Sequence, residues 1–117
     1  MYGENRKPVR FLGASLDDLR LFPAGARRDA GHQIDLVQQG FDPDDWKPMA
    51  IIGAGVREIR IAEEGGAFRV IYVAKFEQAI FVLHFFQKKT RKTARADIEL
   101  ARARYRELLP TRKELQS

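Results

Sequence analysis

Val56-Arg-Glu-Ile-Arg-Ile-Ala62, Phe68-Arg-Val-Ile-Tyr-Val-Ala-Lys-Phe76 and Ala79-Ile-Phe-Val-Leu-His-Phe-Phe86 decide the fold. Ile59 and Ile61 in the first, and Phe68, Val70, Tyr72, Ala74 and Phe76 in the second, recur at every second position, the period of a pleated strand. Glu63-Glu-Gly-Gly-Ala67 separates them with glycines suited to positive φ, and Glu77-Gln78 turns the chain again. The third stretch is apolar without a break, as expected of a central strand covered on both faces. Together they predict a three-stranded antiparallel meander.

On the N-terminal side, Val9-Arg-Phe-Leu-Gly13 reads as a short first strand. Ser15-Leu-Asp-Asp18 reads as a helix start, with Ser15 as cap and the two acids at the positive end of the dipole. Pro23 ends or kinks that helix. A second helix, Ala24 to Gln39, carries Ala26, Ala30, Ile34 and Val37 at helical spacing, and Gly40 stands where a C-terminal cap belongs. Phe41 to Gly55 is rich in turn residues and reads as a linker that packs Trp46 and Met49. On the C-terminal side, Thr93 to Leu109 forms a helix with the stripe Ile98, Ala101, Tyr105 and Leu108, and Arg95, Arg102, Arg104 and Arg106 on the rest of its surface. Pro110 stops it, leaving 111–117 as a frayed tail. The expected fold class is α+β. One domain over 1–117 contains a twisted antiparallel sheet, the meander plus the short N-terminal strand, with N-terminal helices and a C-terminal helix packed on one face.

The chain has 117 residues and no cysteine, which excludes disulfides, thiolate catalysis and Cys-based zinc sites. Its longest apolar run, Ala79 to Phe86, is far short of the roughly 20 residues of a membrane span. No apolar segment of a secretory signal stands at the N-terminus, so a cytoplasmic protein is expected. The net charge is +5, and its distribution is uneven. From His84 to Ser117 there are ten basic and four acidic residues, a net of +6. Such a block is either a footprint for phosphates or an acidic partner, or a solvated helix face.

Alternation along the second meander strand sends Arg69, Ile71, Val73 and Lys75 one way and Phe68, Val70, Tyr72, Ala74 and Phe76 the other. The more aromatic set is expected to face the helices, leaving Arg69 and Lys75 on a wetter face. In the first meander strand, Arg57 and Arg60 lie on opposite faces; register decides which joins Arg69. Lys88, Lys89, Arg91 and Lys92 crowd the end of the third, where converging cations make a cradle for a phosphate backbone. Other constellations fail. Gly53-Ala-Gly55 lacks the Lys-Ser/Thr of a phosphate-binding loop. His32 and His84 have no second imidazole or carboxylate at metal-ligand spacing. His84 reads first as a packed histidine, with its titration range keeping it an acid–base candidate. Neither Ser15 nor Ser117 sits in a nucleophile elbow, and Tyr105 reads as core.

Val56-Arg-Glu-Ile-Arg-Ile61, Phe68-Arg-Val-Ile-Tyr72, Ile80-Phe-Val-Leu-His-Phe-Phe-Gln-Lys-Lys-Thr-Arg-Lys-Thr93 and Asp97-Ile-Glu-Leu-Ala-Arg102 resemble the phage-derived, toxin-like branch of the RelE/HigB superfamily. The likeness runs from Gly55 to Arg106, and Gly40…Trp46-Lys-Pro48-Met…Gly53 fits it too. The Lys-Lys-Thr-x-Lys-Thr run after an apolar strand is its most specific part. The resemblance implies a RelE-like fold and the toxin of a type II toxin–antitoxin pair. It implies a metal-independent endoribonuclease with no cofactor, acting on messenger RNA at the ribosome.

Position by position, the resemblance implies that Arg69 binds the scissile phosphate. Arg60 matches a basic position in the preceding strand, and Lys88 and Lys89 match basic positions just past the last. Arg57, Lys75, Arg91 and Lys92 complete the expected RNA-binding set, and His84 or Lys88 would serve as acid or base. RNA supplies the nucleophile through its 2′-hydroxyl, so the protein needs neither nucleophile nor metal. A cognate antitoxin of helix-turn-helix type is implied, with no membrane partner and with DNA reached only through that antitoxin. Three positions depart from the pattern. Tyr105 is the one tail residue of acid–base type, Glu58 stands where some relatives carry lysine, and Ala94 replaces a proline. The contrasting expectation is a non-catalytic basic module, an inactive toxin fold that binds RNA or a partner.

Overall fold

Alternation between Val56 and Phe86 builds the centre of the sheet. The computed structural model describes residues 6–63 and 65–109, so the expected tail at 111–117 lies outside them. The order is β1 (Val9–Phe11), α1 (Ser15–Arg20), α2 (Ala24–Gln38), β2 (Trp46–Pro48), β3 (Val56–Glu63), β4 (Gly66–Val73), β5 (Ile80–Lys88) and α3 (Arg95–Arg106). The architecture is α+β, and one sheet runs β1-β5-β4-β3-β2. The expected meander is β3, β4 and β5, antiparallel throughout, with Arg60 opposite Arg69 and Arg69 opposite Phe86. Gly65, at φ +100°, takes the β3–β4 turn in a conformation that a side chain would strain. A bulge in β5 shifts the register, so that Ile71 faces His84 while Tyr72 faces Val82.

Two strands differ from expectation. Trp46–Pro48, read as linker, is an edge strand antiparallel to β3, with Lys47 opposite Glu58. Three residues are too few to show a period, and Pro48 is tolerated because an edge strand does not need every donor. β1 pairs with β5 in parallel, Val9 opposite Ile80, so the sheet is mixed rather than antiparallel. The long excursion through α1 and α2 frees its direction from the constraint of a hairpin.

The helices cover both faces of the sheet, not one. Ala26, Ala30, Ile34 and Val37 of α2 pack with Ile59, Ile61, Phe68, Val70, Tyr72, Val82 and Phe85. Ala101 and Tyr105 of α3 pack on the opposite face with Val56, Ile71, Val73, Leu83 and Phe86, joined by Met49 and Ile52. The unbroken apolar run of β5 is what makes this possible, since it presents greasy side chains to both layers. The α3 stripe falls as its spacing predicts, with one exception: Arg104 is buried, and its Nη1 donates to the Leu83 carbonyl at 2.8 Å, at the bulge. Pro23 separates α1 from α2, and Gly40, at φ +93°, closes α2 with Phe41 N–H on the Leu36 carbonyl. Ser15 is not the cap of α1. Ala14 holds that place, and the buried Ser15 hydroxyl turns to the Val82 carbonyl.

Candidate functional site

Residues opposite one another in an antiparallel ladder share a face. On the α3 face, register therefore gathers Lys47 of β2, Glu58 and Arg60 of β3, Arg69 of β4, and His84, Phe86 and Lys88 of β5. The apolar half of this face lies under α3, while the charged half extends beyond it. There the connection 89–94 leaves β5 and crosses toward β3, where Thr93 Oγ1 donates to Glu58 Oε2 at 2.9 Å.

Glu58 is the centre of this cluster. Its side chain has no exposed surface, and Oε1 lies 3.6 Å from Arg69 Nε and 3.9 Å from Lys47 Nζ. Neither Oε1 nor Arg69 Nε makes a hydrogen bond, so charge rather than a directed bond links them. Arg69 Nη1 donates to the Phe68 carbonyl at 2.9 Å. Arg60, directly across the ladder from Arg69, reaches Asp45 at 3.6 Å. Partial burial holds the Lys88 ammonium below its usual range, as do the cations of Arg69, Lys47 and Arg60, while Glu58 pulls it back up. The cluster is four cations with the Glu58 carboxylate buried beneath Lys47 and Arg69 and Asp45 at the rim on Arg60.

The sequence-expected residues divide into groups. Arg69, Lys88 and Arg60 come together. Arg69, however, does not project from an open face: its side chain is 11% exposed, with Nε 3.6 Å from buried Glu58 Oε1. Lys89, Arg91 and Lys92 ride on the exposed connection at the edge of the cluster. His84 shares the face but is shielded; it is 5% exposed, stacked on Phe86, with Nε2 on Asp97 Oδ1 at 2.7 Å. That corrects the expectation that no carboxylate stands near it, since the partner comes from the first turn of α3. Arg57 belongs to the other face, stacked over Trp46 at 3.9 Å and paired with Asp42 at 2.9 Å. Lys75 lies past the end of β4, where its Nζ donates to the Tyr105 hydroxyl. That hydroxyl in turn donates to Ala54 carbonyl, and Tyr105 is core as expected.

Sequence reasoning missed Lys47, Thr93 and Asp97, and saw Glu58 merely as a departure. Glu58 carried a signal, because alternation puts it between Val56 and Arg60 on one face. Thr93 carried none. Among the described residues, no group of three or more His, Asp or Glu side chains is arranged to hold a metal ion. Among them, no helix is long and apolar enough to cross a membrane.

One family model, described as phage derived protein Gp49-like (DUF891), matches residues 17–106. The match takes in every residue of the cluster and leaves out β1. No curated protein matches the chain.

Proposed function

The chain belongs to the phage-derived Gp49-like family, and from that premise we propose that it is the toxin of a toxin–antitoxin pair, a RelE/HigB-type endoribonuclease. Its substrate is messenger RNA, cut at the ribosome with the 2′-hydroxyl as nucleophile. The observation that supports this reading is the convergence of Lys47, Arg60, Arg69 and Lys88 at the end of one sheet face. Attack on the phosphate builds negative charge on its oxygens, and fixed cations stabilise that charge more than the ground state. A guanidinium has five N–H donors in a planar fork, so Arg69 keeps donors to spare beyond the Phe68 carbonyl. Lys88, which gives up its proton more readily than a free lysine, is suited to exchange one with the 2′-hydroxyl or the leaving 5′-oxygen. His84, engaged with Asp97 under α3, is left a structural part. No cofactor enters the scheme. The +6 segment calls for an acidic counterpart, and a cognate antitoxin of helix-turn-helix type fits that need.

Arg69→Lys tests the reading better than Arg69→Ala, because alanine would leave buried Glu58 short of a counter-charge. Lysine keeps the charge and loses the fork. In a cell-free translation reaction, wild type is expected to cut message and Arg69→Lys to cut about 10²-fold more slowly, by analogy with the loss of one oxyanion donor. Both should melt at similar temperatures. No cleavage by wild type overturns the reading. The burial of Arg69 favours a second one, a non-catalytic module that binds RNA through its exposed cations; binding without cleavage would support it.

A further inference from the structure

Glu58 has no role in the reaction just described. A carboxylate without exposed surface cannot take a proton from RNA. Burying it is costly unless cations and hydrogen bonds compensate. Here the compensation comes from three other elements: Lys47 of β2, Arg69 of β4 and Thr93 of the 89–94 connection. Its two oxygens divide the work, with Oε2 holding the connection and Oε1 facing the cations. Arg60 stands opposite Arg69 in the ladder, and like charges so placed repel. Arg60 has Asp45 as its anion, and Arg69 has Glu58; without Glu58 the Arg69 head would turn from Arg60 toward solvent.

We infer that Glu58 is the positioning residue of the phosphate site. Its charge holds Arg69 inward, and its hydrogen bond to Thr93 anchors the basic connection beside it. This rests on the phosphate-site reading above and adds to it the group that orients the site. A substrate phosphate meets cations whose geometry is set beforehand, which is how a positioning residue acts on a rate without touching substrate.

The test is Glu58→Gln, which keeps size and the acceptor for Thr93 and removes the charge. An RNA oligonucleotide should bind as tightly as to wild type or more so, since the net charge rises by one. Cleavage should fall about tenfold or more, because misplacing a reacting group by about an ångström costs up to 10²-fold. In an Arg69→Lys background the same change should cost little further, as expected when one residue acts through the other. In nuclear magnetic resonance spectra, the Arg69 Nε–H signal should be resolved in wild type and lost to exchange in Glu58→Gln. Unchanged or faster cleavage with tighter binding would overturn the inference, showing Glu58 to be a brake. Losses that add across the two backgrounds would overturn it too. If wild type cuts no RNA, the earlier reading fails, but the Arg69 signal still decides this one: persistence in Glu58→Gln sinks it. If Glu58→Gln does not fold, Thr93→Val takes its place, with several-fold slower cleavage at unchanged melting expected and no change in rate overturning the anchor.

Discussion

The two faces of the sheet are built from the same strands and end in different states. The α2 face is sealed from Phe22 to Val37, with Ile59, Val70, Tyr72 and Val82 essentially without exposure. The α3 face is sealed over Val56, Ile71, Val73 and Leu83, then gives way to Glu58, Arg60, Arg69 and Lys88. Alternation alone would give each face one character. Helix length breaks that symmetry, because α2 has 15 residues and α3 has 12. The 89–94 connection, not a helix, meets the far end of the second face, and polar side chains there are partly wet. The contrast teaches that one face is sealed by apolar side chains while the other passes from an apolar half to a charged one, with Glu58 buried where the two halves meet.

The largest effect should come from the sealed face. Phe85 packs edge-on against Phe22, with ring centroids 5.9 Å apart, and is 1% exposed. Phe85→Ala should cost about 3–5 kcal/mol in chemical denaturation. A loss under about 1 kcal/mol would show that this face is not the main store of stability.

Arg57 and Arg60 sharpen the comparison, being three apart on β3 and on opposite faces. Arg60→Ala should weaken RNA binding and lower the slope of log affinity against log salt by about 1, the mark of one lost phosphate contact. Arg57→Ala should leave that slope unchanged, since its head is stacked on Trp46. Equal slopes for the two variants would break the division by face.

The smallest effect concerns Lys88. Its folded-state pKa lies below the ordinary lysine value of 10.5, chiefly through burial and next through Arg69. Between the folded value and 10.5 the unfolded chain binds more protons, so stability rises with pH across that window. Unfolding of wild type and Lys88→Gln should therefore differ most near neutral pH, with the variant the more stable, and converge as the pH rises toward 10.5. A gap that does not change with pH would mean that neither burial nor the neighbouring cations lower the Lys88 pKa in the fold.

Much of this was legible in the residues. The two-residue period located β3, β4 and β5 to within a few positions, and the stripe Ile98, Ala101, Tyr105 located α3. Lys88 and Arg69 were set in one site by the family resemblance, since strand alternation alone leaves the register between them open. What escaped was set by distant parts of the chain. Lys47 sits on a strand of three residues that exists because β3 offers it an edge. Burial of Glu58 depends on cations supplied from β2 and β4, and a carboxylate carries no mark in sequence of being compensated. That Arg69 lies nearly buried beside Glu58 follows from strand register, and that α3 takes the second face follows from how β5 divides its side chains.

The parallel pairing of β1 with β5 has a consequence for the order of synthesis. Val9–Phe11 leaves the ribosome before its partners Ile80–Val82, which are made some seventy residues later. Lys88 and Thr93 come later still, so the outer strand waits for Ile80–Val82 and the charged cluster for Thr93. Pairings this remote close late. If the protein cuts messages at ribosomes, the machine that makes it is spared until the segment reaching Thr93 has emerged.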